Sequence, residues 1–164
     1  MSALLNSAWL LAVVRLVVGA TFVRMGLSKV ADPVAFLKLI REYELVPEGL
    51  PWLMNTMAVG IPWIEVCGGV LLLLGVAVRG VSLGLAVMLV VFSGAIGLRA
   101  LGIQESDGVA FCSIVFDCGC GSGEVNVCGK LAENAGLLLA SLLALASRST
   151  RWCLAPSPFA TPEA

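Results

Sequence analysis

Four long apolar stretches constrain this chain more than any other feature, because each matches the length of a bilayer-spanning helix. A hydrocarbon core takes roughly 20 consecutive apolar residues to cross as a helix. Segments at about 7–30, 54–74, 80–101 and 126–147 meet that requirement. Only 13% of the 164 residues are charged and 59% are hydrophobic, whereas soluble domains carry about 25% charge. The solvent for such a chain is lipid. The fold expected is all-α: a four-transmembrane-helix bundle, with a short interfacial helix at 33–44 after the first span and a cysteine-rich loop at 102–125 before the fourth. Residues 148–164, with three prolines, are expected to form a flexible tail.

Two absences in the composition narrow the chemistry. The chain has no His, which removes imidazole ligation of haem, most zinc and copper sites, and His-based acid/base chemistry. A formal net charge of -1 leaves no basic excess for a nucleic-acid partner. Cysteines and carboxylates remain.

The first span carries unusual polar residues. Arg15, Gly19, Phe22, Gly26 and Lys29 recur at spacings of four and three and share one helical face, with Arg24 on the other side. Arg24 and Lys29 lie near a helix end, from which long side chains snorkel to the interface. Arg15 is too deep for that. Asp32-Pro33 reads as an N-cap followed by proline at the first helical position. The helix after it, with Phe36, Leu37, Ile40 and Tyr43 on one side, is too short and too charged to span, so it is expected to lie in the membrane interface.

Glu65 stands near the middle of the second span, where an ionised group costs at least ~2.5 to 3.5 kcal/mol unless paired or neutral. Antiparallel packing counted from Lys29 and Met54 puts Arg15 within roughly 5 Å of it in depth, so Arg15 is the expected partner. Two roles stay open: an ion pair that fixes helix register, or a polar wall of Arg15, Glu65 and Lys29 for a quinone or a proton. Cys67 lies about 200° around the helix from Glu65 and reads as a small core residue. In the third span, Gly80, Gly84, Ser93, Gly94 and Gly97 read as small residues for close helix contact.

The loop before the fourth span concentrates thiols: Cys112, then Cys118 and Cys120 one residue apart, then Cys128. A Cys118–Cys120 disulfide would close a very small ring, and strained disulfides are the easily reduced, catalytic ones. Four cysteines allow three complete pairings. Cys112 and Cys128 serve either as a relay or as a static staple, and a metal centre on all four is disfavoured by a Cys-x-Cys spacing tighter than Cys-x2-Cys. Asn126 is the expected cap of the fourth helix, with Cys128 in its first turn, where the helix dipole and Lys130 would favour a thiolate. Cys153 in the tail reads as incidental.

Arg15-x3-Gly19-x2-Phe22-x3-Gly26-x2-Lys29, the Leu45-Val46-Pro47 turn, Ile61-Pro62-x2-Glu65, Cys118-Gly119-Cys120-Gly121 and Asn134 together resemble the DoxX-like membrane proteins, and among them the MauE branch. The similarity covers roughly residues 14–145. It implies a four-helix bundle in the bacterial cytoplasmic membrane, a link to maturation of methylamine dehydrogenase, and a thioredoxin-like periplasmic partner. Other DoxX-like proteins imply sulfur-compound oxidation coupled to quinone. The chain departs from the usual pattern where Gly121-Ser122-Gly123 replaces the aromatic that commonly follows Cys-Gly-Cys, and in its additional Cys112 and Cys128.

The expected function is therefore that of a membrane thiol:disulfide redox protein. It would pass electrons between an extracytoplasmic thioredoxin-like or client protein and the quinone pool through Cys118, Cys120, Cys112 and Cys128, above a quinone site at Arg15, Glu65 and Lys29. No metal and no haem is expected. The alternative is a non-catalytic membrane anchor or assembly subunit of a larger redox complex. Clustered thiols favour an oxidising compartment, which places the loop outside and both termini in the cytoplasm.

Overall fold

The computed structural model describes residues 8–44, 46–47, 49–117, 123–147 and 153–154. Its helices are α1 (Ala8–Ala31), α2 (Pro33–Glu42), α3 (Pro51–Leu74), α4 (Val78–Asp107) and α5 (Val127–Ala146). All but α2 are long and apolar enough to cross a bilayer. The 24 residues of α1 and of α3 give each a length of roughly 36 Å, more than the ~30 Å hydrocarbon core. Apolar side chains cover their outward faces, Leu16, Val59, Trp63, Val91 and Leu139 among them. In water such a surface would aggregate; in lipid it is solvated.

The start and stop signals act where sequence places them. Asp32 accepts a hydrogen bond from the Ala35 N–H at 2.9 Å and Pro33 opens α2. Asn126 caps α5 by accepting from the Gly129 N–H at 3.1 Å. α2 then buries Phe36 and Ile40 against Met54 and Ala58 at the start of α3. Two spans are longer than expected. α3 begins at Pro51, a residue that suits the first turn because its missing N–H would go unbonded there. α4 continues past 101 to Asp107, since Ala100, Leu101, Gln104 and Glu105 are good helix formers that outweigh Gly102.

α1 and α3 make the closest contact in the bundle, and glycine permits it. A Cβ on Gly19 would come 2.9 Å from the Gly69 carbonyl oxygen, one on Gly69 2.7 Å from the Gly19 oxygen, and one on Gly26 2.8 Å from the Pro62 oxygen. Small residues of this kind let backbones meet in a medium where no hydrophobic force drives helices together. The small residues of α4 do not act this way: Gly80, Gly84, Gly94 and Gly97 each have open space where a Cβ would stand. Instead, Ser93 Oγ accepts a hydrogen bond from Asn134 Nδ2 of α5 at 3.2 Å.

The cysteine loop has structure of its own. After a 3-10 turn at Phe111–Ser113, strands β1 (Val115–Asp117) and β2 (Glu124–Asn126) pair antiparallel, with Phe116 opposite Val125. Ile114 and Val127 seat this hairpin on Ile96 and Ala100 of α4. Tyr43, at the end of α2, meets Phe116 edge-on with ring centroids 6.0 Å apart. The interfacial helix, the hairpin and the start of α5 thus share one end of the bundle. The expected flexible tail lies outside the described residues except for Cys153 and Leu154.

Candidate functional site

Glu65 is paired with Lys29, and Arg15 lies elsewhere. Lys29 Nζ donates to Glu65 Oε1 at 2.6 Å, with both side chains almost fully buried. The same ammonium lies over two aromatic rings, 5.1 Å from the centroid of Phe36 and 4.9 Å from that of Phe92. Attraction of a cation to a ring face strengthens when water is excluded. Lys29 therefore turns into the bundle and does not snorkel out, whereas Arg24 on the opposite face is exposed.

The register explains the exchange of partners. Gly19 opposes Gly69 and Gly26 opposes Pro62, which sets Arg15 against the end of α3. The count from Lys29 and Met54 slid α3 by about five residues, or roughly 7 Å at 1.5 Å per residue. Helical side chains lean toward their own N-terminus, so Lys29 reaches inward to Glu65 while Arg15 reaches outward along the last turn of α3. There its guanidinium donates to the Leu72 carbonyl at 3.0 Å, to the Leu73 carbonyl at 3.1 Å and to Cys153 Sγ at 3.4 Å. Carbonyls in the last turn of a helix are short of backbone donors; the Leu72 oxygen also accepts from the Gly75 N–H of the cap at 3.2 Å. Gly75, at φ 71, takes the left-handed turn beneath the guanidinium, which a side chain there would strike. Arg15 is thus a cap on α3, and Cys153 is one of its contacts.

Around the Lys29–Glu65 pair lies a cavity of approximately 160 Å³. Its walls are apolar and aromatic, with Phe22 and Met25 from α1, Phe36 and Tyr43 from α2, Met57 and Ile61 from α3, and Leu89, Phe92 and Ile96 from α4. Four polar side chains from three helices converge on it: Lys29, Glu65, Lys130 and Asn134. Few polar groups in an apolar pocket are the ordinary composition of a small-molecule site. Deeper in the bundle Gly68 and Leu85 close α3 against α4. Toward the hairpin end the gap between these helices belongs to the cavity, and Val91 lines it while 61% exposed. The cavity thus reaches the apolar outer face of α4 at Val91.

Lys130 and Asn134 enter through the periodicity of α5, whose buried residues Val127, Lys130, Asn134, Leu137, Ser141 and Ala144 recur every three or four positions. That rhythm is visible in sequence, and read alone it turns Lys130 toward the bundle. The expectation that Lys130 serves a Cys128 thiolate does not hold here. Its ammonium is buried and donates to Glu133 Oε2 at 3.0 Å, and Cys128 is bonded to Cys112. Glu65 has one further property: its Oε2 is buried with no hydrogen-bond partner among the described residues.

The Cys112–Cys128 disulfide joins the 3-10 turn to the first turn of α5, with 5.1 Å between the Cα atoms. Asn126 adds a second tie by donating from Nδ2 to the Cys112 carbonyl. A disulfide offers no thiolate, so these two cysteines cannot join a four-cysteine metal centre in this state. Cys118 and Cys120 lie outside the described residues; the strand residues Asp117 and Glu124 that bracket their segment are paired with each other. Cys67 is not a core residue: it is exposed on the outer face of α3, because the face carrying Pro62, Glu65 and Gly69 is the buried one.

Tyr43 borders both the cavity and the hairpin. Burial, and next the negative charge of Asp117, push its hydroxyl up to about 12, so it remains a neutral hydrogen-bonding group at physiological pH.

No curated protein and no solved structure matches the chain. The family model described as methylamine utilisation protein MauE matches residues 7–147. A match over that much of the sequence, on a four-span helical fold, makes the chain a member of the MauE family.

Proposed function

We propose that this MauE-family membrane protein is a thiol:disulfide redox protein that hands electrons from an extracytoplasmic thioredoxin-like or client protein to a quinone. In this reading the hairpin end faces outward from the bacterial cytoplasmic membrane, the termini are cytoplasmic, and the DoxX-like relationship extends to quinone-linked sulfur chemistry. The observation that carries it is one adjacency. The Cys112–Cys128 disulfide sits on the first turn of α5, and the helix beyond it, with Lys130 and Asn134, lines a cavity that reaches Val91 on the apolar outer face of α4.

The electron and proton count closes. A partner dithiol attacks the Cys118–Cys120 disulfide through a mixed disulfide and leaves oxidised, with the loop pair now a dithiol. That dithiol exchanges with Cys112–Cys128 in the same way. The resulting Cys112 and Cys128 thiols return to a disulfide, releasing two electrons and two protons, which convert a quinone to its hydroquinone. A cavity near 160 Å³ compares with an engineered site of about 150 Å³ that accepts benzene, so a quinone ring fits the space and its apolar tail runs toward Val91.

Trapping tests the thiol half. A reduced thioredoxin-like protein lacking its resolving cysteine should attack the oxidised Cys118–Cys120 pair of the wild type and stay joined to it as a mixed disulfide, the displaced loop cysteine leaving as a thiol, and should form none with a Cys118→Ser, Cys120→Ser variant. Equal trapping by the wild type and the double variant would remove the loop pair from the mechanism and favour the anchor reading.

A further inference from the structure

We infer that the cavity binds hydroquinone in preference to quinone, because Glu65 offers a buried acceptor that only the reduced head group, with its hydroxyls, can satisfy. The inference rests on the quinone-linked reading above and adds to it a preference between the two redox forms.

Glu65 uses its two carboxylate oxygens unequally. Oε1 of Glu65 accepts from Lys29 at 2.6 Å, while Oε2 is buried and has no partner among the described residues. A buried acceptor without a donor is costly, more so when it carries charge. Lys29 cannot relieve it, being fixed between Glu65 and the rings of Phe36 and Phe92. Lys130 donates to Glu133, and Asn134 donates to Ser93. A ligand hydroxyl would supply the missing donor, and Glu65 is among the residues that line the cavity where a ligand would lie. A quinone carries only acceptor oxygens; a hydroquinone carries two hydroxyl donors. A hydroxyl donating to a carboxylate forms one of the stronger hydrogen bonds available.

Preference for the reduced form also suits the direction of electron flow. A site that holds hydroquinone more tightly than quinone makes the bound quinone a stronger oxidant toward the thiols. Two electrons and two protons arrive from the dithiol, and Glu65 holds the hydroxyl of the product.

The preference is measurable without turnover. Full-length protein in lipid nanodiscs, with the disulfide intact, is titrated anaerobically with decylubiquinone and, separately, with decylubiquinol. The wild type should bind the quinol about tenfold more tightly, the ratio a charge-assisted hydrogen bond confers. Glu65→Gln, with its amide oxygen facing Lys29, presents N–H donors in place of Oε2 and should erase or reverse the preference. Equal affinity of the wild type for both forms overturns the inference while leaving the quinone reading intact, and the wild-type ratio decides the matter even if the Gln variant fails to fold. Absence of binding by both forms overturns the quinone reading as well.

Discussion

Lys29 of α1 and Glu65 of α3 form a buried ion pair 2.6 Å long whose depth is set by the glycine contacts between the two helices. Gly26 and Pro62, one turn inward from Lys29 and one turn before Glu65, are in backbone contact. Pro62 lacks the N–H that would bond the Ala58 carbonyl, yet it is buried in the seam. The pair is thus a consequence of register, and it anchors the polar end of the cavity.

Removing one partner leaves a buried charge uncompensated. Lys29→Met should destabilise the bundle by about 3–5 kcal/mol, and Lys29→Met with Glu65→Leu should recover most of that loss. Denaturant unfolding in micelles, read as a double-mutant cycle, measures the coupling. Single variants indistinguishable from wild type would refute the pairing.

The helix seam makes a sharper steric prediction. Gly26→Val forces a side chain into the Pro62 carbonyl and Val66 and should cost at least ~1–3 kcal/mol, as overpacking does. Gly60→Ala, on the same helix as Pro62 but with open space at its Cβ, should be neutral or stabilising by up to ~1 kcal/mol. Thermal unfolding of the two variants side by side provides the comparison.

Tyr43 is the only tyrosine in the chain, so near-ultraviolet absorbance reports its ionisation without ambiguity. The midpoint should lie at about 12, against an ordinary value of 10.0, and Asp117→Asn should lower it because a negative charge is removed. Between those two pH values the folded protein retains a proton that the unfolded chain has lost. Stability therefore falls as pH rises through that window, with the Tyr43 contribution complete below pH 10.

Much of this architecture was legible in the residues. Four spans, the interfacial helix and its Asp32-Pro33 start, the Asn126 cap and the polar face of α1 follow from hydropathy, periodicity and capping chemistry, which are local. Which groups meet was less legible, because helix register depends on contacts between segments. Counting from helix ends matched Arg15 to Glu65, whereas Gly19, Gly26 and Gly69 lock the helices about five residues away. The glycines of α4, equally suggestive in sequence, have nothing against them among the described residues, since small size permits close contact without requiring it. Lys130 was assigned to its sequence neighbour Cys128, although the three-four rhythm of α5 turns it toward the cavity.

The central claim is that thiol electrons reach a quinone through both cysteine pairs. Anaerobic incubation of the full-length protein in nanodiscs with a reduced thioredoxin-like protein and decylubiquinone tests it directly, with hydroquinone followed by absorbance. One hydroquinone should form per dithiol consumed, and the reaction should be lost in both the Cys118→Ser, Cys120→Ser and the Cys112→Ser, Cys128→Ser double variants. Undiminished hydroquinone formation by either double variant would contradict it.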